Sequence, residues 1–286
     1  MQWLFSKMKQ YLPLIKSLQT GLLLATGLAG YMTARCPIFH LGTLAGLTGS
    51  LFLAISGSTV LNMWWDRDID ARMGRTSRRP SASGIVSPQE TLVLGLVLSA
   101  LGVSWALVMN RLYGLVVFSG LFFDVVVYTI WLKRRTCWSI VWGGISGGMP
   151  ILAGRVLGMG QIDWVGILLS LAILFWIPTH ILTFSIRYAN EYERAGIPTF
   201  PSTYGVKATQ IIIAVSSVFA ALAIGIAGIL IGVQWGFVRL LAVLSSGLFV
   251  LAVALLVKPS DQANFSLFKY ASLYMLSAMI LLSIYP

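Results

Sequence analysis

The chain has 286 residues, of which 57% are hydrophobic and only 10% charged, against about 25% charged in a typical soluble domain. Despite a net charge of +11, this balance excludes a disordered chain, a coiled coil and a nucleic-acid-binding protein. It leaves an all-α polytopic membrane protein. The two cysteines, Cys36 and Cys137, are too few for a disulfide framework and lack metal-site spacing. Both read as small packed apolar residues.

Apolar stretches long enough to cross a bilayer, roughly 20 residues each, fall near 14–34, 39–63, 91–110, 112–132, 138–157, 162–185, 208–232, 237–257 and 266–285. They predict nine transmembrane helices in one domain spanning 1–286, bundled around a central cavity. Strict period-2 alternation is absent, so a β-barrel is a poor alternative. With the N-terminus inside and the spans alternating, only Arg35, Arg111, Arg155 and Arg239 lie outside, and the other sixteen Lys and Arg lie inside. That asymmetry places the N-terminus in the cytoplasm. The long polar connections, about 64–90 and 186–207, then face the cytoplasm, and the chemistry is expected there, at the inner membrane.

At the end of the second span, Asn62, Asp66 and Asp70 recur every four residues and form one stripe on a helix. Neighbouring carboxylates at a membrane helix end repel and resist desolvation. A hard divalent ion relieves that cost. Mg²⁺ takes one or two carboxylates plus substrate phosphate and water, so the stripe predicts a metal-bound phosphorylated ligand. The plainer alternative is a solvated helix end with Asp66 and Asp70 paired to Arg67 and Arg72. The excess of arginines, Arg67, Arg72, Arg75, Arg78 and Arg79, suits either a multiply charged anion or anionic lipid headgroups.

The fourth span ends with Asp124, Tyr128, Lys133 and Arg134. Asp124 lies about two turns inside the apolar run, either as a functional carboxylate or as a buried hydrogen-bonding group. Lys133 and Arg134 either anchor the helix or hold phosphate opposite the metal. Further on, Pro178 predicts a kink just before His180, which is either a packing residue or one wall of a cavity. Asn190 and Glu191 offer oxygens for a second metal, and Arg187 offers a phosphate contact.

The string Asn62-xxx-Asp66-Arg67-Asp68-x-Asp70-xx-Met73-x-Arg75-Thr76-xx-Arg79-Pro80 resembles the first motif of the UbiA superfamily of intramembrane prenyltransferases. Its arginine extension, followed by Ser83-Gly84-xx-Ser87-Pro88, is most similar to the protoheme IX farnesyltransferase (haem O synthase) family. Asp124-xxx-Tyr128-Thr129-xxx-Lys133-Arg134, Trp176-x-Pro178-x-His180 and Glu191-Tyr192-xx-Ala195-Gly196-Ile197-Pro198 resemble that family's later blocks. Glu191 stands where the family commonly has aspartate, Thr179 replaces a frequent proline, and the second paired-aspartate motif of the superfamily is absent.

The resemblance implies that Mg²⁺ on Asn62, Asp66 and Asp70 binds an isoprenyl diphosphate. Arg67, Lys133, Arg134, Arg187 and Arg75 would neutralise the leaving group, and Tyr128 would stabilise an allylic cation. It further implies a hydrophobic acceptor, haem B, with His180 beside it. Two alternatives stay open: the same transfer to an aromatic acid, quinone precursor or glycerol-phosphate lipid, and an ion-coupled transporter. Most of the acids gather at one face rather than at the midplane, which weighs against a transporter.

Overall fold

The computed structural model describes residues 10–34 and 40–284. Cys36, Arg35, Lys7 and Lys9 lie outside them. Among the described residues every regular element is helical. Nine long helices and two short ones follow in order: α1 (Ser17–Met32), α2 (Leu41–Trp65), the short α3 (Arg67–Arg72), α4 (Pro88–Met109), α5 (Arg111–Leu132), α6 (Ser139–Met159), α7 (Trp164–Arg187), the short α8 (Ala189–Arg194), α9 (Phe200–Ile231), α10 (Trp235–Val257) and α11 (Asp261–Ser283).

Eight of these are long and apolar enough to cross a membrane. The first predicted span is shorter than expected. Leu12–Ile15 form a 3₁₀ turn, Lys16 adopts a left-handed conformation (φ 43°, ψ 63°), and only 16 residues remain for α1. That is about 24 Å of helix, against a hydrocarbon core of about 30 Å. By length and composition, the described residues therefore hold eight spans rather than nine.

Small residues set how closely the helices approach, as expected where lipid supplies no hydrophobic drive for association. A Cβ added to Gly154 of α6 would sit 1.8 Å from the Gly27 carbonyl oxygen of α1. One on Gly102 of α4 would sit 2.4 Å from the Ala54 nitrogen of α2. The second contact holds α2 inside the bundle: 61% of its most apolar stretch is buried, against 22% for α4 and α10. The most enclosed helix is the one that carries Asn62 at its end.

Beginnings are set by capping. Ser87 and Glu90 form a capping box ahead of α4, and Thr199 with Ser202 does the same for α9. This box starts a first short turn of α9 eight residues before the apolar run, and Gly205 (φ 82°, ψ 163°) breaks the helix before the apolar run continues it.

Candidate active site

Helix α2 ends at Asp66 (φ −87°, ψ 4°) and α3 begins one residue later. The hydrogen-bond ladder survives the break. The Asp66 amide donates to the Asn62 carbonyl at 2.9 Å and the Asp70 amide to the Asp66 carbonyl at 2.8 Å. Asn62, Asp66 and Asp70 thus stay aligned, and both carboxylates are buried, at 3% and 4% exposed.

Across from them runs the second half of α5. Phe122–Leu132 is wound as a π-helix, in which bonds run i to i+5 rather than i to i+4. The wider turn brings Thr129 above Asp124, beside the Tyr128 that α-helical spacing predicts there. Asp124 Oδ2 accepts from the Ser58 hydroxyl and from Asn62 Nδ2, the latter at 2.9 Å. Thr129 Oγ1 lies 2.6 Å from Asn62 Oδ1 and 2.8 Å from the Asp124 carbonyl. One turn on, Lys133 Nζ donates to Asp66 Oδ2. Asp124, half-buried, thus hydrogen-bonds the Asn62 amide from across the helix pair.

The cations find different partners from those nearest in sequence. Asp70 pairs with Arg79 at 2.6 Å, not with Arg72. The turn that brings Arg79 back is tied by Thr76 Oγ1 donating to the Asp70 carbonyl at 3.0 Å. Arg134 grips both oxygens of Asp68 at 2.7 and 2.9 Å and the Trp65 carbonyl at 2.9 Å. The hydrogen bonds from Arg134 hold the Asp68 carboxyl below its usual value. Burial works against the Lys133 charge, but Tyr128 and Asp66 outweigh it, and the Lys133 pKa is raised.

The network leaves oxygens over. Among the described residues Asp66 Oδ1 is buried without a hydrogen-bond partner, with Arg134 Nη2 4.0 Å away. A buried carboxylate oxygen without a donor is costly. Asp70 Oδ1 likewise accepts no hydrogen bond among the described residues, and Asn62 Oδ1 has one lone pair remaining. These are hard oxygen donors on one face, and they fit a Mg²⁺ ion that takes its other ligands from substrate and water. Among the described residues no three His, Cys, Asp or Glu side chains gather to hold a metal, so Glu191 does not complete a carboxylate triad with Asp66 and Asp70.

The remaining predicted residues are dispersed. Arg67 turns away from the acids, donating to the Trp64 carbonyl at 2.7 Å and covering the Trp64 ring. Glu191 accepts from the Arg75 amide at 3.3 Å, and the exposed Asn190 side chain makes no hydrogen bond among the described residues. Arg75 and Arg187 both lie over the Tyr188 ring, at 5.7 and 5.9 Å. His180 stacks on Trp176 at 4.9 Å, lies 4.7 Å from Phe268, and keeps a buried Nδ1 with no partner. Tyr128 is half-buried beside Lys133, whose ammonium is 5.6 Å from its ring centre. Cys137 is a buried free thiol, as expected of a packed apolar residue.

Lys16 belongs to this end of the bundle, although as sequence it counts only toward topology. Burial, Arg79 and Lys133 push its pKa down to about 8, while Asp124 and Asp70 pull the other way. A lysine of the N-terminal segment thus sits within electrostatic reach of four side chains of the site. Its left-handed backbone, alone among the described non-glycine residues, was the signal; it is invisible in sequence.

Residues 23–276 match the model of the UbiA prenyltransferase family. A protoheme IX farnesyltransferase of Pyrobaculum arsenaticum is 38% identical over 93% of this chain and 95% of its own. One from Archaeoglobus fulgidus is 44% identical over 70% of each. Among solved structures, one described under digeranylgeranylglyceryl phosphate synthase superposes with a TM-score of 0.82 at 19% identity, covering 98% of both chains. A UbiA homologue from Archaeoglobus fulgidus bound to GPP and Mg²⁺ superposes with a TM-score of 0.70 at 15% identity, over 96% of this chain and 100% of that one. The fold and the relatives agree: the chain belongs to the UbiA prenyltransferase family and, within it, groups with the proteins named protoheme IX farnesyltransferase.

Proposed function

We propose that the protein transfers a farnesyl group from its diphosphate to a vinyl group of haem B, giving haem O, with Mg²⁺ held by Asn62, Asp66 and Asp70. The observation that carries the donor half is the buried, unpartnered Asp66 Oδ1 at the head of the oxygen stripe. A solved UbiA-fold neighbour holds GPP with Mg²⁺, another holds DMAPP with Mg²⁺, and the relatives' names support haem as acceptor.

When bound, the ion supplies Lewis-acid charge to a departing diphosphate. The protein supplies the rest. Lys133, Arg79 and Arg134 stand on the carboxylates and can turn toward phosphate oxygens, with Lys16 close behind; fixed charge of this kind carries much of the rate in such reactions. The C–O bond to diphosphate breaks, and the vinyl π pair forms the new C–C bond at farnesyl C1. Water then adds to the resulting haem cation and loses a proton. Tyr128, already beside one cation at Lys133, presents a ring that can stabilise positive charge developing on the isoprenyl carbon. Asp124 acts through Asn62, holding its amide with an oxygen toward the ion. The charge asymmetry between the two sides supports a cytoplasmic site at the inner membrane.

Product analysis tests this directly. Purified protein is given farnesyl diphosphate and Mg²⁺ with haem B or 4-hydroxybenzoate. We expect haem to gain the mass of a farnesyl group plus a hydroxyl, and diphosphate release to stop with EDTA. Unchanged haem beside a prenylated benzoate would move the protein to the alternative acceptor class; uptake without any covalent product would leave a transporter.

A further inference from the structure

At the phosphate end, the site's cations are largely neutralised: Lys133, Arg79 and Arg134 each sit on a carboxylate. A second group of cations at the same end is not. Arg187 lies 4.8 Å and Lys269 4.6 Å from the centre of one ring, Phe265. Arg187 also lies over Tyr188, which carries Arg75 as well. All three are exposed, and none is in an ion pair with a carboxylate among the described residues. Two like charges gathered on one ring repel each other, and ring quadrupoles offset only part of that. An anion between them would remove the repulsion.

What lies below these cations identifies the anion. Trp176, His180 and Phe184 of α7, with Tyr188 at its C-terminal cap, recur every four residues and form one half-buried aromatic stripe. Trp176 stacks with His180, and Phe184 stacks with Tyr188 at 9° between planes. Phe268 of α11 closes the far side, 4.7 Å from His180 and 4.9 Å from Phe184. From Arg187 down to Trp176 is about 16 Å along the helix. This half-buried aromatic seam, closed on one side by α11 through Phe268 and the Trp176 hydrogen bond to the Ala271 carbonyl and carrying unneutralised cations at one end, complements the edge of a flat aromatic molecule that bears carboxylates. A farnesyl diphosphate has its charge at the tip of a flexible chain and requires no such plane.

We propose that Arg187 and Lys269, with Arg75 behind them, bind the propionate carboxylates of the tetrapyrrole acceptor, whose macrocycle lies along the Trp176–His180–Phe184 stripe. This rests on the haem reading of the acceptor and adds the place where it docks. The carboxylate edge is fixed at the basic end, the macrocycle extends along the apolar wall, and His180 contributes an imidazole whose buried Nδ1 has no hydrogen-bond partner among the described residues.

The test uses the full-length protein in nanodiscs of zwitterionic lipid, with haem B and haem B dimethyl ester as acceptors. Binding is read from the haem absorption band and turnover from product mass. Lys269→Met and Arg187→Met should each raise the dissociation constant and KM for haem B about tenfold and leave the KM for farnesyl diphosphate unchanged. The dimethyl ester, lacking both negative charges, should bind wild type and variants alike, and Lys269→Arg should restore haem B binding. A rise in KM for farnesyl diphosphate instead would assign these cations to the donor and overturn the proposal. So would an equal loss with acid and ester, which marks a packing role, or an effect that appears only when anionic lipid is added. If the wild type binds haem B in a Lys269-dependent way but makes no product, the docking site stands and the farnesyltransferase reading falls. Turnover of haem B with an unaltered KM in Lys269→Met has the opposite meaning.

Discussion

The two ends of the bundle each bury charge, and they do so differently. At the end away from the candidate site, Arg155 of α6 is 5% exposed, and every part of its guanidinium has a partner. It donates to Asp163 at 2.6 to 3.0 Å and to the carbonyl and hydroxyl of Thr33 at 2.6 and 3.1 Å. Asp163 also caps α7 through the Gly166 amide. That network is closed, and it ties the end of α1 to α6 and α7. The network at the basic end is open: among the described residues Asp66 keeps a buried oxygen with no donor, and the side chains of Arg75, Arg187 and Lys269 have no acid. A satisfied buried network is structure; one that leaves a hard buried oxygen without a donor, beside exposed cations without an acid, has the donors and charges that a ligand can use.

The largest expected effect breaks the open end. Asp66→Asn keeps the shape of the side chain and removes its charge. Turnover with farnesyl diphosphate and Mg²⁺ should fall about a thousandfold, with thermal stability changed little because Lys133 can then reach water. If Asp66→Asn retains activity within tenfold, the oxygen stripe is not the metal site.

Next comes the closed end, where the loss should be of stability rather than activity. Arg155→Met leaves the Asp163 carboxylate without its charge partner, and breaking such a pair costs about 3–5 kcal/mol. Thermal unfolding should shift down accordingly, while the turnover per folded molecule is retained at low temperature. The acid limb follows by linkage. Burial raises the Asp163 pKa, but Arg155 and the Gly166 amide outweigh it and leave it below its ordinary 3.8. A depressed carboxylate pKa contributes stability above that ordinary value and loses it as pH falls through the folded one. The wild type should therefore lose stability below about pH 4, and Arg155→Met should lose less over the same range. Equal acid limbs would show that other carboxylates set it.

How much of this was readable before the structure depends on whether a residue acts within its own helix. Asn62, Asp66 and Asp70 announced themselves because four-residue spacing is local, and their alignment survives even the break between α2 and α3. The spans were readable for the same reason. What pairs with the stripe was not. Lys133 meets Asp66 from 67 residues away and Thr129 meets Asn62 across the same separation, and α-helical spacing places Tyr128, not Thr129, above Asp124. Nothing in the local pattern forecasts a π-helix. The arginines show the limit from the other side: Arg67 is adjacent to Asp66 in sequence and faces Trp64, whereas Arg79 reaches Asp70 only because a turn folds back through Thr76.

A smaller effect sharpens the role of that π-helix. Thr129→Val removes a hydroxyl without changing volume and leaves Asn62 Oδ1 without its donor. The expected loss is about 1–2 kcal/mol, or roughly tenfold in kcat/KM, with the apparent Mg²⁺ requirement shifted to higher concentration. A loss of activity with unchanged Mg²⁺ dependence would separate Thr129 from the metal ligands and leave it a packing residue.

The smallest expected effect concerns Lys16, whose charge is held at the open end against burial and two cations. Its pKa of about 8 lies below the unfolded value, so the proton is lost in the folded protein first. Stability from this group should therefore rise as pH climbs from about 8 toward 10.5. Affinity for a diphosphate should move the other way, because the ligand binds to the protonated lysine and weakens as that proton leaves. Lys16→Met should raise KM for farnesyl diphosphate about threefold at pH 7 and flatten its rise above pH 8. The opposed signs distinguish this lysine from any general loosening of the protein at high pH, which would lower stability and affinity together. The same rise in KM above pH 8 in Lys16→Met would place the titrating group elsewhere and leave Lys16 as the residue that ends the 3₁₀ turn and starts α1.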